Sequence, residues 1–176
     1  MATAITRTPA EVARAAFDAV IGKDPEGIVA LGAPGYVDDF VAIGQVRGQK
    51  AIRAFFSELF AAFPDFEITV DRIVADETSA AVQWHATGTF TGGPFQGILP
   101  TGRQAEIRGA DIMEISGGLI QHNTTYYDGA TFVRQIGMLP AQGSPGDRAV
   151  IAVFNAKTKL SQRYQAAVRR RQARAH

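Results

Sequence analysis

Between Gln49 and Phe63 the apolar residues Ile52, Phe55, Phe56, Leu59, Phe60 and Phe63 fall at i, i+3, i+4, i+7, i+8 and i+11, the spacing of one helical stripe. Burying the four phenylalanines of that stripe is worth about 2 kcal/mol each, so the helix is expected to pack on a sheet rather than stand in water. Pro64 ends it. Upstream, Thr8-Pro9-Ala10-Glu11 supplies a capping hydroxyl, a proline at the first helical position and a glutamate three residues after the cap. This predicts a helix over Pro9–Ile21 with Val12, Ala16, Ala19 and Val20 facing inward. Asp24-Pro25-Glu26 starts a shorter helix through Leu31, stopped by Gly32 and Pro34. Tyr36–Ile43 reads as a strand and Gly44–Gly48 as a loop.

After Pro64 the period changes to two. Phe66, Ile68 and Val70 alternate with Glu67, Thr69 and Asp71 in a strand that runs to about Ala75, and Asp76-Glu77-Thr78 makes a turn. Further strands are predicted over Ser79–Phe90, Gln104–Ile115 and Leu119–Tyr127, the last two joined at the Gly117-Gly118 hairpin. Helices first and an antiparallel sheet afterwards make an α+β protein. Gln142–Asp147 is the one linker-like tract, so residues 1–141 are expected to form the domain and residues 142–176 a linker with a C-terminal amphipathic helix carrying Val150, Phe154, Leu160, Tyr164 and Val168.

Composition narrows the chemistry. The 176 residues include no cysteine, which removes disulfides, thiolate metal sites and a cysteine nucleophile. His85, His122 and His176 have no metal-ligand spacing, and no metal or organic cofactor is expected. Glu11, Arg14 and Asp18 interrupt the first helix, so neither a signal core nor a membrane span is expected there, and a cytoplasmic location follows as the expectation. The net charge of +1 hides an asymmetry: residues 1–149 hold 11 Lys and Arg against 17 Asp and Glu, while residues 150–176 hold 7 basic residues and no acidic ones. An acidic domain repels nucleic acid. The basic helix, with Arg169-Arg170-Arg171 near its end, is therefore expected to dock on the domain or pack in a homodimer, without a nucleic-acid or membrane partner.

From Phe95 to Leu139 the chain reads Gly97-Ile98-Leu99-Pro100-Thr101-Gly102-Arg103, Arg108-Gly109-Ala110-Asp111-Ile112, Gly117-Gly118-Leu119-Ile120, Tyr127-Asp128 and Gln135-Ile136-Gly137-Met138-Leu139. With Phe63-Pro64-Asp65-Phe66 and Thr87-Gly88-Thr89-Phe90 upstream, this order resembles the SnoaL-like polyketide cyclase and ester cyclase family. The resemblance spans roughly Ile28 to Leu139. It implies the cone-shaped NTF2-like fold, with helices packed on a curved sheet around a pocket, and an intramolecular aldol ring closure. In that reaction a pocket aspartate, similar in position to Asp128, removes a proton next to a carbonyl. Relatives of the fold are commonly dimers. Thr124 stands where many members have tryptophan, so a reshaped pocket is expected.

Strand parity sorts the candidate residues. Ile107, Gly109, Asp111, Met113 and Ile115 share one face of their strand, and Ile120, His122, Thr124, Tyr126 and Asp128 share one face of the next. If both faces line the cavity, Asp128 and Asp111 are the catalytic carboxylates. The hydrophobic ligand is then bound by His122, Tyr126, Thr124, Met113 and His85, with Tyr36, beside Asp38 and Asp39, at the pocket rim. Spacing alone leaves the inward parity open. A base of this kind needs an apolar surround that raises its basicity above that of an exposed aspartate. Plainer roles exist for the same residues: Asp128 as the cap of a helix carrying Phe132 and Ile136, Asp111 as the ion-pair partner of Arg108, His85 as an ordinary sheet residue, Trp84 as core, and Tyr36, Asp38 and Asp39 as a strand end. A loop bearing Phe95, Ile98 and Leu99 is placed to cover the pocket mouth. Two other functions use the same fold: epoxide hydrolysis, which requires an Asp-Arg-Asp set that Arg108 and Asp111 do not match in spacing, and a non-catalytic ligand-binding or dimerisation module.

Overall fold

The computed structural model describes residues 7–173. Residues 1–6 and 174–176, His176 among them, lie outside the described residues, as do the side chains of Val168, Arg170 and Arg171. Helices α1 (Pro9–Ile21), α2 (Pro25–Ala30) and α3 (Gln49–Ala62) pack against a six-stranded sheet of β1 (Gly32–Phe40), β2 (Gly44–Arg47), β3 (Glu67–Ala75), β4 (Ser79–Thr89), β5 (Gln104–Ser116) and β6 (Leu119–Tyr127). A short α4 (Gly129–Gln135) and a long α5 (Pro145–Ala173) complete an α+β architecture. The capping box of α1 forms as its sequence implies, the Glu11 carboxylate accepting from the Thr8 amide and the Thr8 hydroxyl accepting from the Glu11 amide.

The strand order is β2-β1-β6-β5-β4-β3. All pairings are antiparallel except β1 with β6, which is parallel and brings Asp38 level with Asn123. Residues Gly44–Arg47, expected as a loop, instead form the edge strand β2 on β1. The pattern of four mostly exposed residues carries no hydrophobic alternation that could have announced it.

Two register shifts decide which side chains face the helices. In β6, Ile120 pairs with Ile115 and His122 pairs with Glu114, so Gln121 is an extra residue and the side-chain phase reverses there. In β3, Val70 pairs with Trp84 and Arg72 with Gln83, which makes Asp71 the extra residue. The α3 stripe lies in the concavity of the sheet, where Phe40 and Phe55 have ring centroids 4.4 Å apart and Phe55 and Phe56 5.4 Å apart. Helix α5 leaves this core: Val153, Phe154, Leu160 and Tyr164 are each about two-thirds or more exposed, and Asp147 in its first turn pairs with Arg134 at 3.8 Å.

Candidate functional site

A cavity of about 120 Å³ lies between α1, α3 and the concave sheet face. Its walls are mainly rings and aliphatic groups, among them Phe17, Phe40, Phe55, Phe56, Phe95 and Trp84. The polar lining is confined to a row across three strands. Asp38 on β1 is level with Asn123 on β6, and Asp111 on β5 is level with Thr125, two residues further along β6. Direct and diagonal neighbours on one sheet face are close enough for their side chains to meet.

Asn123 joins the two carboxyls. Its amide nitrogen donates to Asp38 Oδ1 at 3.0 Å and to Asp111 Oδ2 at 2.8 Å, and lies 3.1 Å from Thr125 Oγ1. The two amide hydrogens of Asn123 are shared among three acceptors, the two carboxyl oxygens and the Thr125 hydroxyl. Asn123 Oδ1 is buried without a donor. The indole nitrogen of Trp84 donates to the other Asp111 oxygen at 2.9 Å. Gly109 makes this contact possible: a Cβ there would meet Trp84 Cζ2 at 2.4 Å and the Tyr126 carbonyl at 2.7 Å. The indole therefore sits against β5 only because residue 109 has no side chain.

Burial splits the ionisation of the pair. Desolvation, reinforced by the charge of Asp111, pushes the Asp38 carboxyl up to about 8 against the opposing hydrogen bonds of Asn123 and Tyr36. Desolvation also raises Asp111, but donors from Asn123, Trp84 and Thr125 hold it to about 6. Burial and the donors around Asp111 thus favour the proton on Asp38 over Asp111. Tyr36, buried beside two carboxyls, is raised well above its ordinary value and stays protonated. Burial takes the Tyr127 hydroxyl up to about 12. Pairs of acids driven apart in this way divide general-base and hydrogen-donor roles between them.

The expected site residues divide in two. Asp111, Met113 and Tyr36 line the cavity. Asp128 does not: its oxygens accept from the Thr131 amide at 2.9 Å and from the Thr131 hydroxyl at 2.6 Å, it caps α4, and it is exposed. Those Thr131 bonds hold its carboxyl below the usual range, the opposite of what a general base needs. Asp128 and Asp111 therefore do not meet, and the hydrogen bonds of Asp128 are those of a helix cap. His122, Thr124 and Tyr126 are turned to the outer sheet face by the Gln121 bulge. Tyr126 is 51% exposed there, and the Thr124 hydroxyl lies 3.4 Å from His122 Nδ1. His85 also faces outward, its Nδ1 2.8 Å from Asp71 Oδ1. Arg108 is exposed on the face opposite Asp111, so the two form no ion pair and no arginine enters the cavity.

Asn123, Thr125 and Trp84 join the site beyond the residues that the sequence pattern indicates, and Asp38, whose pattern also fits a strand end, lies at its centre. The alternation Tyr36, Asp38, Phe40 carried a signal for Asp38, because one inward residue of a strand implies the others. Asn123 and Thr125 carried none, since the bulge inverts their phase. Of the loop expected over the pocket mouth, Phe95 forms part of the cavity wall, buried against Phe55 and Phe63 at 5.7 and 6.0 Å between centroids, whereas Leu99 is 70% exposed and does not line the cavity. Among the described residues no three His, Cys, Asp or Glu side chains gather as a metal-binding group, and no helix is long and apolar enough to cross a membrane.

The profile of the SnoaL-like polyketide cyclases matches residues 10–136. The chain belongs to this family. Solved structures agree in fold. A candidate SnoaL-like polyketide cyclase from Jannaschia sp. CCS1 is 23% identical, with a TM-score of 0.67 over 76% of this chain and 98% of its own. IdmH, a candidate polyketide cyclase from Streptomyces antibioticus, is 27% identical, with a TM-score of 0.62 over 74% of this chain and 99% of its own. A protein of ketosteroid isomerase-like fold from Catenulispora acidiphila, solved with trimethylamine, is 21% identical, with a TM-score of 0.62 over 79% of this chain and 100% of its own. A search of curated protein sequences found no match. The family profile ends at residue 136, so α5 lies outside what the SnoaL-like family shares.

Proposed function

We propose that the protein is a cyclase-type enzyme in which Asp111 removes a proton from the carbon next to a carbonyl of a hydrophobic compound. The C–H electron pair moves into the carbonyl to form an enolate, and the neutral carboxyl of Asp38, with Tyr36 beside it, donates a hydrogen bond to the oxygen where charge develops. In an intramolecular aldol closure the enolate carbon then bonds a second carbonyl carbon, and the proton held by Asp111 passes to the new alkoxide. Base and proton balance are restored without any other reactant. The observation that carries this reading is the pair of buried carboxyls, bridged by one amide and driven to different proton affinities inside an apolar cavity. Membership of the SnoaL-like family supports the reaction class. The assignment moves the expected basic role from Asp128 to Asp111.

Exchange of the α-hydrogens of a small cyclic ketone in deuterated buffer, followed by NMR, tests the proton-abstraction step. Wild type should exchange faster than buffer, and Asp111→Asn should fall to the buffer rate while still binding the ketone. Equal exchange by wild type and Asp111→Asn would refute the assignment. A non-catalytic binding module is the second reading, favoured by how little of Asp38 is open: it is only 1% exposed and is already hydrogen-bonded. Saturable binding with no exchange in wild type would favour it.

A further inference from the structure

Helix α5 carries an apolar stripe that the domain leaves exposed. It runs for 29 residues, about 44 Å in length, and lies beyond the family profile, which ends at residue 136. At about 100° per residue, Val150, Val153, Phe154, Leu160 and Tyr164 fall within one arc of roughly 120°. Each is between 50% and 72% exposed. Isolated helices are marginal in water, and burial of an apolar face is what normally stabilises them. Docking on its own domain, one of the packings expected for this helix, does not cover the stripe, so another surface must.

Charge selects that surface. From residue 150 onward the chain holds 7 basic residues and no acidic one. Arg148, Lys159 and Arg163, all exposed, lie on the side opposite the stripe within an arc of roughly 60°, while Lys157 sits inside the stripe. Two copies of α5 laid stripe to stripe would enclose Lys157 in an apolar seam, with no carboxylate after Asp147 to pair with it and like charges on both helices. Docked on the acidic domain of a second copy, the helix would turn Arg148, Lys159 and Arg163 away from the contact, and their charge would go unused. An anionic bilayer surface uses both faces. The rings and aliphatic groups enter the boundary between headgroups and acyl chains, the basic face lies among the lipid phosphates, and the long Lys157 side chain extends to reach them. We propose that α5 is an amphipathic anchor lying in the plane of an anionic phospholipid surface. It is not apolar enough to cross. The rest of the chain, with 11 basic against 17 acidic residues over 1–149, is repelled by the same lipids, so attachment runs through α5. This departs from the expectation of no membrane partner, and it is independent of the chemistry in the cavity.

The test is sedimentation of the full chain with sucrose-loaded vesicles, made of phosphatidylcholine alone or with phosphatidylglycerol at about three parts in ten, in about 0.1 M and about 0.5 M salt. At the lower salt the protein should partition at least about tenfold more strongly onto the anionic vesicles, and the higher salt should remove most of that preference. Phe154→Glu with Leu160→Glu, and separately Lys159→Glu with Arg163→Glu, should each weaken binding at least about tenfold. Tm should stay unchanged in both, because none of the four residues belongs to the core. In Phe154→Trp the added indole should shift its emission to the blue on anionic vesicles, against the constant signal of buried Trp84. Equal partition onto both vesicle types, binding that survives Phe154→Glu with Leu160→Glu, or no binding at all would overturn the proposal. So would a lipid-free dimer that the same pair of substitutions dissolves in a chain that ignores vesicles, an outcome that assigns the stripe to a second copy.

Discussion

Replacing Asp38 by asparagine isolates the cost of holding a carboxyl in an apolar cavity. Asparagine has nearly the same shape, retains an oxygen to accept from Asn123, and carries no charge at any pH. In the wild type the folded state keeps the Asp38 proton up to about pH 8, whereas the unfolded chain releases it near 3.8. Between those values the native state binds the extra proton, so stability falls as pH rises. The slope is about 1.36 kcal/mol per pH unit, so from pH 5 to pH 8 the wild type loses on the order of 4 kcal/mol that the variant keeps. Asp111, with a pKa raised to about 6, adds the same sign of slope over a narrower window in both proteins and cancels in the comparison. Urea unfolding at pH 5, 6.5 and 8 supplies the free energies. The difference between Asp38→Asn and wild type should shift in the variant's favour by at least about 2 kcal/mol across that range. A difference that stays level with pH would show that Asp38 is already ionised in the folded protein and would refute the burial argument.

The kcat/KM of wild type should be bell-shaped in pH, with a rising limb near 6 for the pair's base and a falling limb near 8 for its acid. An activity that climbs steadily to pH 10 would remove the neutral acid from the mechanism. Trp84→Phe deletes a donor that favours ionised Asp111; a hydrogen bond to a charged group is worth about 1.5–3 kcal/mol, so the rising limb should move up by about one to two pH units. Gly109→Ala forces a Cβ into the indole and the Tyr126 carbonyl and should cost about 1–3 kcal/mol of stability with a similar displacement of that limb. Asp128→Ala removes the α4 cap and should lower Tm while leaving kcat/KM within about threefold of wild type; a collapse of activity with Tm intact would restore the residue to the chemistry.

Periodicity revealed most of the fold and about half of the site, for reasons that individual residues make plain. The α3 stripe and the β5 alternation are long and regular, and both sit where the pattern puts them, so Asp111 and Met113 enter the cavity as expected. One inserted residue, Gln121, undid the reading of β6. Hydrophobic alternation does not mark a bulge when the residues on both faces are Thr, Asn, Tyr and His, as they are from His122 to Tyr126. Asp128 carried both of its readings in the sequence, and the cap prevailed because Thr131 stands at the correct spacing to donate twice. The parallel pairing of β1 with β6, which sets Asp38 beside Asn123, joins residues 85 apart and has no local signature.

Titration of the aspartate carboxyls by carbon NMR, on protein labelled at that position and compared with Asp38→Asn and Asp111→Asn, tests the central claim most directly. The account predicts one carboxyl with a midpoint near pH 8 that vanishes in Asp38→Asn and one near pH 6 that vanishes in Asp111→Asn. Both midpoints below pH 5 would contradict it, because two carboxylates ionised together at neutral pH leave no neutral acid to stabilise an enolate.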